Sequence, residues 1–542
     1  MPLPSPEPGV TSSASHRARS IGIPLAFVAL IFILRIPNIV LPMGPDQGVY
    51  TTIAWGLQRG LDLYRDMFEQ KLPGIYLAYL AGFTIFGTGT HAIFLIDYAA
   101  GLATVIAVFG IGHRLQGPRF AALAAAIAAF ATFPAARFAY GGFIERGITE
   151  SFIIPLAAIA VGCGVTSAAR DGVKWAAAAG ILIGTAAVFK QTALIYLVVL
   201  VAWTWLVRDL RHAVRFALIA AAGTLAVPAL VLAWLASRGV VGDMWRATIE
   251  FNVAYLAVGD QSFGATLTRF AQEIFRRARR DEIWALGGLS AGAAVLSYRW
   301  QSAAASRVAA LGVLWLAGAL IATLANGPRL FTTYFIPSLV PLSLLIAWLF
   351  DQTLGSAVRA RRVAGFVCLA LAGIMLVRSG SLRQAATATW DDTRFLFGRT
   401  PSQEYLQRFR SRGREVFNAA TNERLAAYVQ ANTAPDERVF VFGMTAGTYF
   451  SSRRLPGSRF LWAYAAVSEM LPGPEFTVDT LAAELARSSP RYIILQRSNG
   501  DSFSGWRASE AFEAPALQAL IAAGYARETE IGDFVLYRKT AP

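Results

Sequence analysis

Residues 44–76 read GPDQGVYTTIAWGLQRGLDLYRDMFEQKLPGIY, and the rest of the chain is organised around them. Asp46, Asp62, Arg65, Asp66, Glu69 and Lys71 crowd there, immediately after an apolar run at 21–41. That run is long enough to cross a hydrocarbon core of about 30 Å at about 1.5 Å per residue. Ionisable groups gathered where bilayer meets water are costly to place and point to a site. The plainer alternative is a solvated loop with an interfacial helix, anchored by its Tyr, Trp, Arg and Lys. Residue chemistry alone leaves both open.

Composition narrows the class. The chain has 542 residues, 55% of them hydrophobic and 15% charged, with a mean hydropathy of +0.47, which indicates an integral membrane protein with room for a soluble domain. Cys163 and Cys368 lie inside apolar segments, so neither a disulfide framework nor a cysteine metal site is expected. A net charge of +15 does not indicate nucleic acid, because the Arg and Lys are dispersed over short inter-span loops and the C-terminal third. Membrane topology and anionic headgroups account for it better. Residues 1–20 are Pro/Ser-rich, then basic, and read as a disordered cytoplasmic tail; the following apolar run is too long for a cleavable signal peptide.

Spans are expected at 21–41, 92–112, 119–136, 150–168, 175–190, 191–207, 216–236, 283–298, 308–325, 334–350 and 363–379, about eleven crossings with the N terminus inside. The inside loops then carry Arg114 and Arg119, Arg170 and Lys174, Arg208, Arg211 and Arg215, Arg299 and Arg307, and Arg359, Arg361 and Arg362. The segment 72–87 is short for a span and is expected as a re-entrant or interfacial helix within a first extracytoplasmic loop, 42–91. The loop 237–281 contains an amphipathic stretch, 245–256, and ends in a basic run facing solvent or headgroups. The membrane domain thus occupies 21–379. Beyond it, 380–542 has no spans, and short apolar runs at 439–443, 491–495 and 534–537 alternate with helical patterns, so a small extracytoplasmic α/β domain is expected. No Gly-rich phosphate loop follows any of these strands.

The order of residues in the first loop resembles polyprenyl-phosphate-sugar glycosyltransferases of the GT-C class, including RgtA/ArnT-like and protein O-mannosyltransferase-like enzymes. The match runs through Asp46-Gln47-Gly48-Val49-Tyr50, Gly60, Tyr64-Arg65-Asp66 and Glu69-Gln70-Lys71-Leu72-Pro73-Gly74. Gln47 stands where many relatives carry a second acid. Later positions follow the family more loosely: Glu150 at the start of a span, Gly180 and Gly184 in a span ending at Lys190, and Arg329 and Tyr334 leading to Pro337 and Pro341. Thr333 replaces a His found in relatives. Singly, each has a plainer role, as a snorkelling lysine, a helix cap or an interface anchor.

The resemblance implies a GT-C fold and transfer of a sugar from a polyprenyl-phosphate donor to a cell-envelope glycan, lipid or protein at the outer face of a bacterial cytoplasmic membrane. Such transfer needs a base, cations for the departing phosphate and a cleft at the membrane face. Asp46 is the expected general base, and a single base acting on an in-line displacement implies inversion. Lys71, Lys190 and Arg329 are expected on the phosphate. Tyr50, Tyr64 and Tyr334 would line the sugar or donate to phosphate, and Glu69 and Glu150 would orient sugar hydroxyls or pair with the lysines. No cofactor is required and no metal is indicated; a divalent cation, if bound, would take Asp46, Glu69 and Glu150. A transporter or lipid flippase is the alternative from another class. It predicts charges near the bilayer midplane.

Overall fold

The computed structural model describes residues 9–140, 142–170, 172–257, 262–298, 301–411, 417–467, 473–497 and 512–540. Helix α1 spans Gly9–Arg35, so the expected tail is shorter than 1–20: no Pro or Gly interrupts 10–21, and the apolar helix continues backwards through it. Residues 1–8 of that tail, and Arg299, lie outside the described residues. After α1 come α2 (Pro45–Gln58), α3 (Gly74–Phe86), α4 (Thr90–Gln116), α5 (Pro118–Ala131), α6 (Thr149–Arg170), α7 (Val173–Phe189), α8 (Ile195–Val207) and α9 (Leu210–Ser237). They are followed by α10 (Phe263–Arg280), α11 (Glu282–Ser297), α12 (Ala303–Leu324), α13 (Leu339–Leu354), α14 (Arg359–Ser379) and α15 (Ser381–Leu396).

A helix stands at every expected span, and among the described residues seven are long and apolar enough to cross a membrane. The stretches at 118–131, 173–189, 191–207 and 282–297 are apolar but shorter. Helix α3 has 13 residues, about 20 Å at 1.5 Å each, which is less than a bilayer core.

Short links make neighbouring helices antiparallel, so the bundle has two ends. One carries Asp46, the start of α6 and the end of α7. The other carries the end of α6, the start of α7 and the α8–α9 link. Gly180 and Gly184 bring α7 and α9 together, since a Cβ on either would lie inside the α9 backbone at Ala220 and Thr224. Thr224 Oγ1 donates to the Gly180 carbonyl across that contact at 3.2 Å. Gly74 performs the same service at the first end: a Cβ there would meet the Val188 carbonyl carbon at 2.8 Å. The start of α3 is thereby pressed against the end of α7.

The C-terminal part folds as a four-stranded sheet of β1 (Val439–Phe442), β2 (Tyr492–Gln496), β3 (Tyr525–Ile531) and β4 (Phe534–Lys539) in the order β1-β2-β4-β3. β1 and β2 are parallel and the other pairs antiparallel. Three strands lie at the apolar runs. The fourth, YARETEI, is an edge strand whose charged positions face water, which gives it no apolar signature. The sheet domain packs on the first loop through Gly447, whose Cα would lie 2.8 Å from a Cβ on Gly48 of α2.

Candidate active site

Helix α2 starts with Pro45 and carries Asp46 in its first turn, where the unpaired amides favour an acid. Gln47, at the position of the second acid in relatives, is structural here. Its Oε1 accepts from the Gly44 amide at 2.7 Å and its Nε2 donates to the Arg146 carbonyl at 2.5 Å. One turn after Asp46, the Tyr50 hydroxyl donates to Asp46 Oδ2 at 3.1 Å. Lys71 reaches the same carboxylate from the other side, with Nζ 3.5 Å from Asp46 Oδ1 and 3.5 Å from Glu69 Oε1.

The segment carrying Lys71 is fixed by Tyr64. Its backbone takes a left-handed φ of 70°, a conformation costly for a bulky residue, and its hydroxyl donates to the Lys71 carbonyl at 2.9 Å. Tyr64 therefore positions the lysine rather than facing the cleft. Burial pushes the Glu69 carboxyl up; Lys71 pulls it back and Asp46 adds to the rise. Burial alone would lower the Lys71 ammonium, but Asp46 and Glu69 together hold it above its ordinary value. At neutral pH it is charged.

A second group lies beside the first. Lys190, the C-cap of α7, places Nζ 2.9 Å from Glu150 Oε1 in the first turn of α6. The same Nζ sits 3.7 Å over the Tyr334 ring. Tyr334 is within electrostatic reach of Lys71, Asp46 and Arg329, so the two groups converge. Glu150, Lys190, Tyr334 and Asn326 line one cavity of about 20 Å³. Arg329 stacks with its guanidinium carbon 3.4 Å from the Tyr255 ring centroid. Tyr255 also lines a second cavity of about 30 Å³, with Phe68, Glu69, Gln70, Phe251 and Trp462. Gln70 Oε1 accepts no hydrogen bond there, and Glu69 Oε1 is held by Lys71. Each cavity has room for about one or two waters.

Three further groups join these. Glu145 belongs to the turn before α6; burial raises its carboxyl well above the ordinary range, Asp46 and Glu150 raise it further, and Lys71 opposes them. Tyr255 and Trp462 come from the 237–281 loop and the sheet domain, and Lys71 Nζ lies 5.6 Å over the Trp462 ring. No motif flags Trp462 in the sequence. Conversely, Arg137 and Arg146 do not face the site. Arg137 pairs with Asp281 at 2.6 Å and with Glu282, at the acidic start of α11. Buried Arg146 donates to the Asn38 and Leu41 carbonyls at 2.6 and 2.8 Å, satisfying the last turn of the first span. In the basic run at 276–280, Arg277 turns inward, 4.1 Å over Phe335, because α10 packs that face on the bundle.

For a cation, Asp46 and Glu69 share Lys71 while Glu150 is taken by Lys190. Among the described residues, no three His, Cys, Asp or Glu side chains come together in a metal-binding group.

Residues 71–234 match the family model described as dolichyl-phosphate-mannose-protein mannosyltransferase. No curated protein matches the chain in sequence. Among solved structures, ArnT from Cupriavidus metallidurans bound to undecaprenyl phosphate superposes with a TM-score of 0.57 at 14% identity, over 96% of this chain and 98% of ArnT. The oligosaccharyltransferase of Archaeoglobus fulgidus gives 0.50 at 13% identity, over 95% of this chain and 73% of its own. In fold over nearly its whole length, and in sequence over 71–234, this membrane protein is therefore similar to the GT-C class of polyprenyl-phosphate-sugar glycosyltransferases.

Proposed function

We propose that the chain is an inverting glycosyltransferase that moves a sugar from a polyprenyl-phosphate donor to a cell-envelope glycan, lipid or protein. It works at the outer face of a bacterial cytoplasmic membrane, with the N terminus and the arginine-rich helix ends inside. One observation carries this reading: Asp46 is held between the Tyr50 hydroxyl and an ammonium, Lys71, at the membrane end where Lys190 and Arg329 also gather.

The acceptor hydroxyl gives its proton to Asp46 as its oxygen bonds to the anomeric carbon. The bond from that carbon to the phosphate oxygen breaks, and its electron pair leaves with the phosphate. Lys71 and Lys190 neutralise the charge growing there, and Arg329 adds to the positive field. A phosphate arriving at Lys71 competes with Asp46 for the ammonium, which frees the carboxylate to act as base. The aromatic walls of the second cavity and the acceptor oxygens of Glu69 and Gln70 suit a sugar's apolar faces and hydroxyls.

The test is sugar transfer from polyprenyl-phosphate donors in membranes holding equal amounts of folded native chain or Asp46→Asn. Loss of transfer with donor binding retained is expected. Unchanged transfer overturns Asp46 as the base, and no transfer by the native chain from any donor overturns the enzyme reading.

A further inference from the structure

Away from the Asp46 site, three elements meet at a pair of arginines. Arg59 caps the C terminus of α2, 13 residues after Asp46, or about 20 Å at 1.5 Å per residue. Arg453 ends the short helix Gly447–Ser452 of the sheet domain. Thr88 lies in the link from α3 to α4, just before a span. The start of α4 belongs to the Asp46 end of the bundle, because Asp97 Oδ1 accepts the Gly147 amide, just before α6, at 2.7 Å.

The two guanidiniums share one ring: Arg59 Cζ lies 5.1 Å from the Trp55 centroid and Arg453 Cζ lies 6.0 Å from it. Arg453 Cζ is also 4.2 Å from the Phe450 centroid, and its Nη2 donates to the Thr88 carbonyl at 3.3 Å. The Thr88 hydroxyl in turn donates to Gln58 Oε1 at 2.9 Å, which ties the link to α2. Trp55 and Phe450 are buried, so both cations rest on a fixed aromatic floor. Among the described residues, neither guanidinium pairs with a carboxylate. Burial lowers the Arg453 guanidinium, and the like charge of Arg59 lowers it further. An anion set between two such cations relieves their repulsion and meets their remaining N–H donors. Arg453 has a left-handed φ of 57°, at a helix end where glycine is the ordinary residue. Glycine would close this helix without strain but would leave Arg59 alone on the ring.

The place is also the edge of the lipid-facing surface. Ile85 and Phe86, in the last turn of α3, are exposed by 70 and 40%, and Leu102 and Ile106 along α4 by 40 and 62%. Cations at the top of an exposed apolar edge suit a phosphate carried on acyl chains better than a free anion.

We propose that Arg59 and Arg453 together hold the phosphate of an anionic membrane lipid, in the leaflet on the Asp46 side, with its acyl chains along Ile85 and Phe86. The lipid thereby fastens the sheet domain, through Arg453, to the first loop, through Arg59.

Native mass spectrometry of the full chain in detergent, titrated separately with phosphatidylglycerol, phosphatidylcholine and soluble glycerol phosphate, tests it. The native chain should retain phosphatidylglycerol well above phosphatidylcholine. Arg59→Gln with Arg453→Gln should weaken that retention about thirtyfold, at roughly fivefold per arginine. Arg361→Gln with Arg362→Gln, which removes the same charge at the start of α14, should leave it within about twofold. Should the first pair not fold, Arg453→Gly removes one cation while relieving the left-handed backbone, and should weaken retention about fivefold. Equal retention of the two lipids, or unchanged retention by the Arg59 and Arg453 variants, overturns the site. Glycerol phosphate binding as tightly as the lipid overturns the lipid source. The readout does not depend on transfer, so it stands apart from the function proposed above.

Discussion

At the Asp46 end of the bundle, Lys71 lies 3.5 Å from two carboxylates and Lys190 lies 2.9 Å from a third. At the remote end, Arg208, His212 and Arg215 line a cleft with Ser167 and Thr204, and among its described lining residues none is a carboxylate. The first arrangement combines carboxylates and cations, and Asp46 and Glu69 together hold the Lys71 ammonium above its ordinary value against the effect of burial; acid–base chemistry on a charged leaving group requires groups of both kinds. At the second, Asp209 is paired with the His212 imidazole at 2.7 Å and does not itself line the cleft. The two ends of the same helices thus carry different sets of described side chains.

Exchanging single residues between these classes is the way to break that contrast. The largest effect is expected from Asp46→Asn, about 10²–10⁴-fold in transfer with little change in stability, measured by turnover at saturating donor. Lys71→Gln should cost about tenfold to a hundredfold in transfer and also lower the melting temperature, because it leaves Asp46 and buried Glu69 facing each other uncompensated. Lys190→Gln should act mainly on donor KM, about tenfold, since Tyr334 and Lys71 remain. Arg208→Gln with Arg215→Gln should leave transfer within about twofold at fixed lipid composition. If it matched the Lys190 variant, the two ends would not be chemically independent.

A finer test concerns Asp392, a buried acid on α15 that has no lysine beside it. Its partners are Asn38 Nδ2 at 2.8 Å and the Tyr405 hydroxyl at 2.9 Å, with Arg408 no closer than 3.8 Å. Burial pushes this carboxyl from 3.8 up to about 6, against the pull of those hydrogen bonds. The folded chain therefore binds this proton more tightly than the unfolded chain. The resulting stability is fully present below about 3.8 and is lost as pH rises through about 6. The melting temperature of the native chain minus that of Asp392→Asn should fall by about a degree or two across that window and then level off.

How much of this was legible beforehand differs by element. The apolar runs gave every helix at a span, because twenty apolar residues have few alternatives beside lipid. Of the first loop's ordered residues, Asp46, Tyr50, Glu69 and Lys71 lie together in one cluster. Edge strand β3 was missed, since its exposed charges carry no apolar alternation, and so was Trp462, which reaches Lys71 only through the docking of a distant domain. Tyr64 was expected in the cleft and instead bonds the Lys71 carbonyl, a role set by its left-handed backbone.

Local sequence by itself determined the membrane class, the helical stretches and the acidic first loop, because burial of apolar length and the cost of charge beside lipid are local properties. Which carboxylate met which ammonium was decided only in three dimensions. Gly74, Gly180 and Gly184 let α3, α7 and α9 approach closely, and the packing of the whole bundle brings Asp46 and Glu69 to Lys71, Glu150 to Lys190, and the acidic start of α11 to Arg137. A direct ion pair needs its atoms within a few ångströms of each other, so it follows from packing and cannot be read from order along the chain.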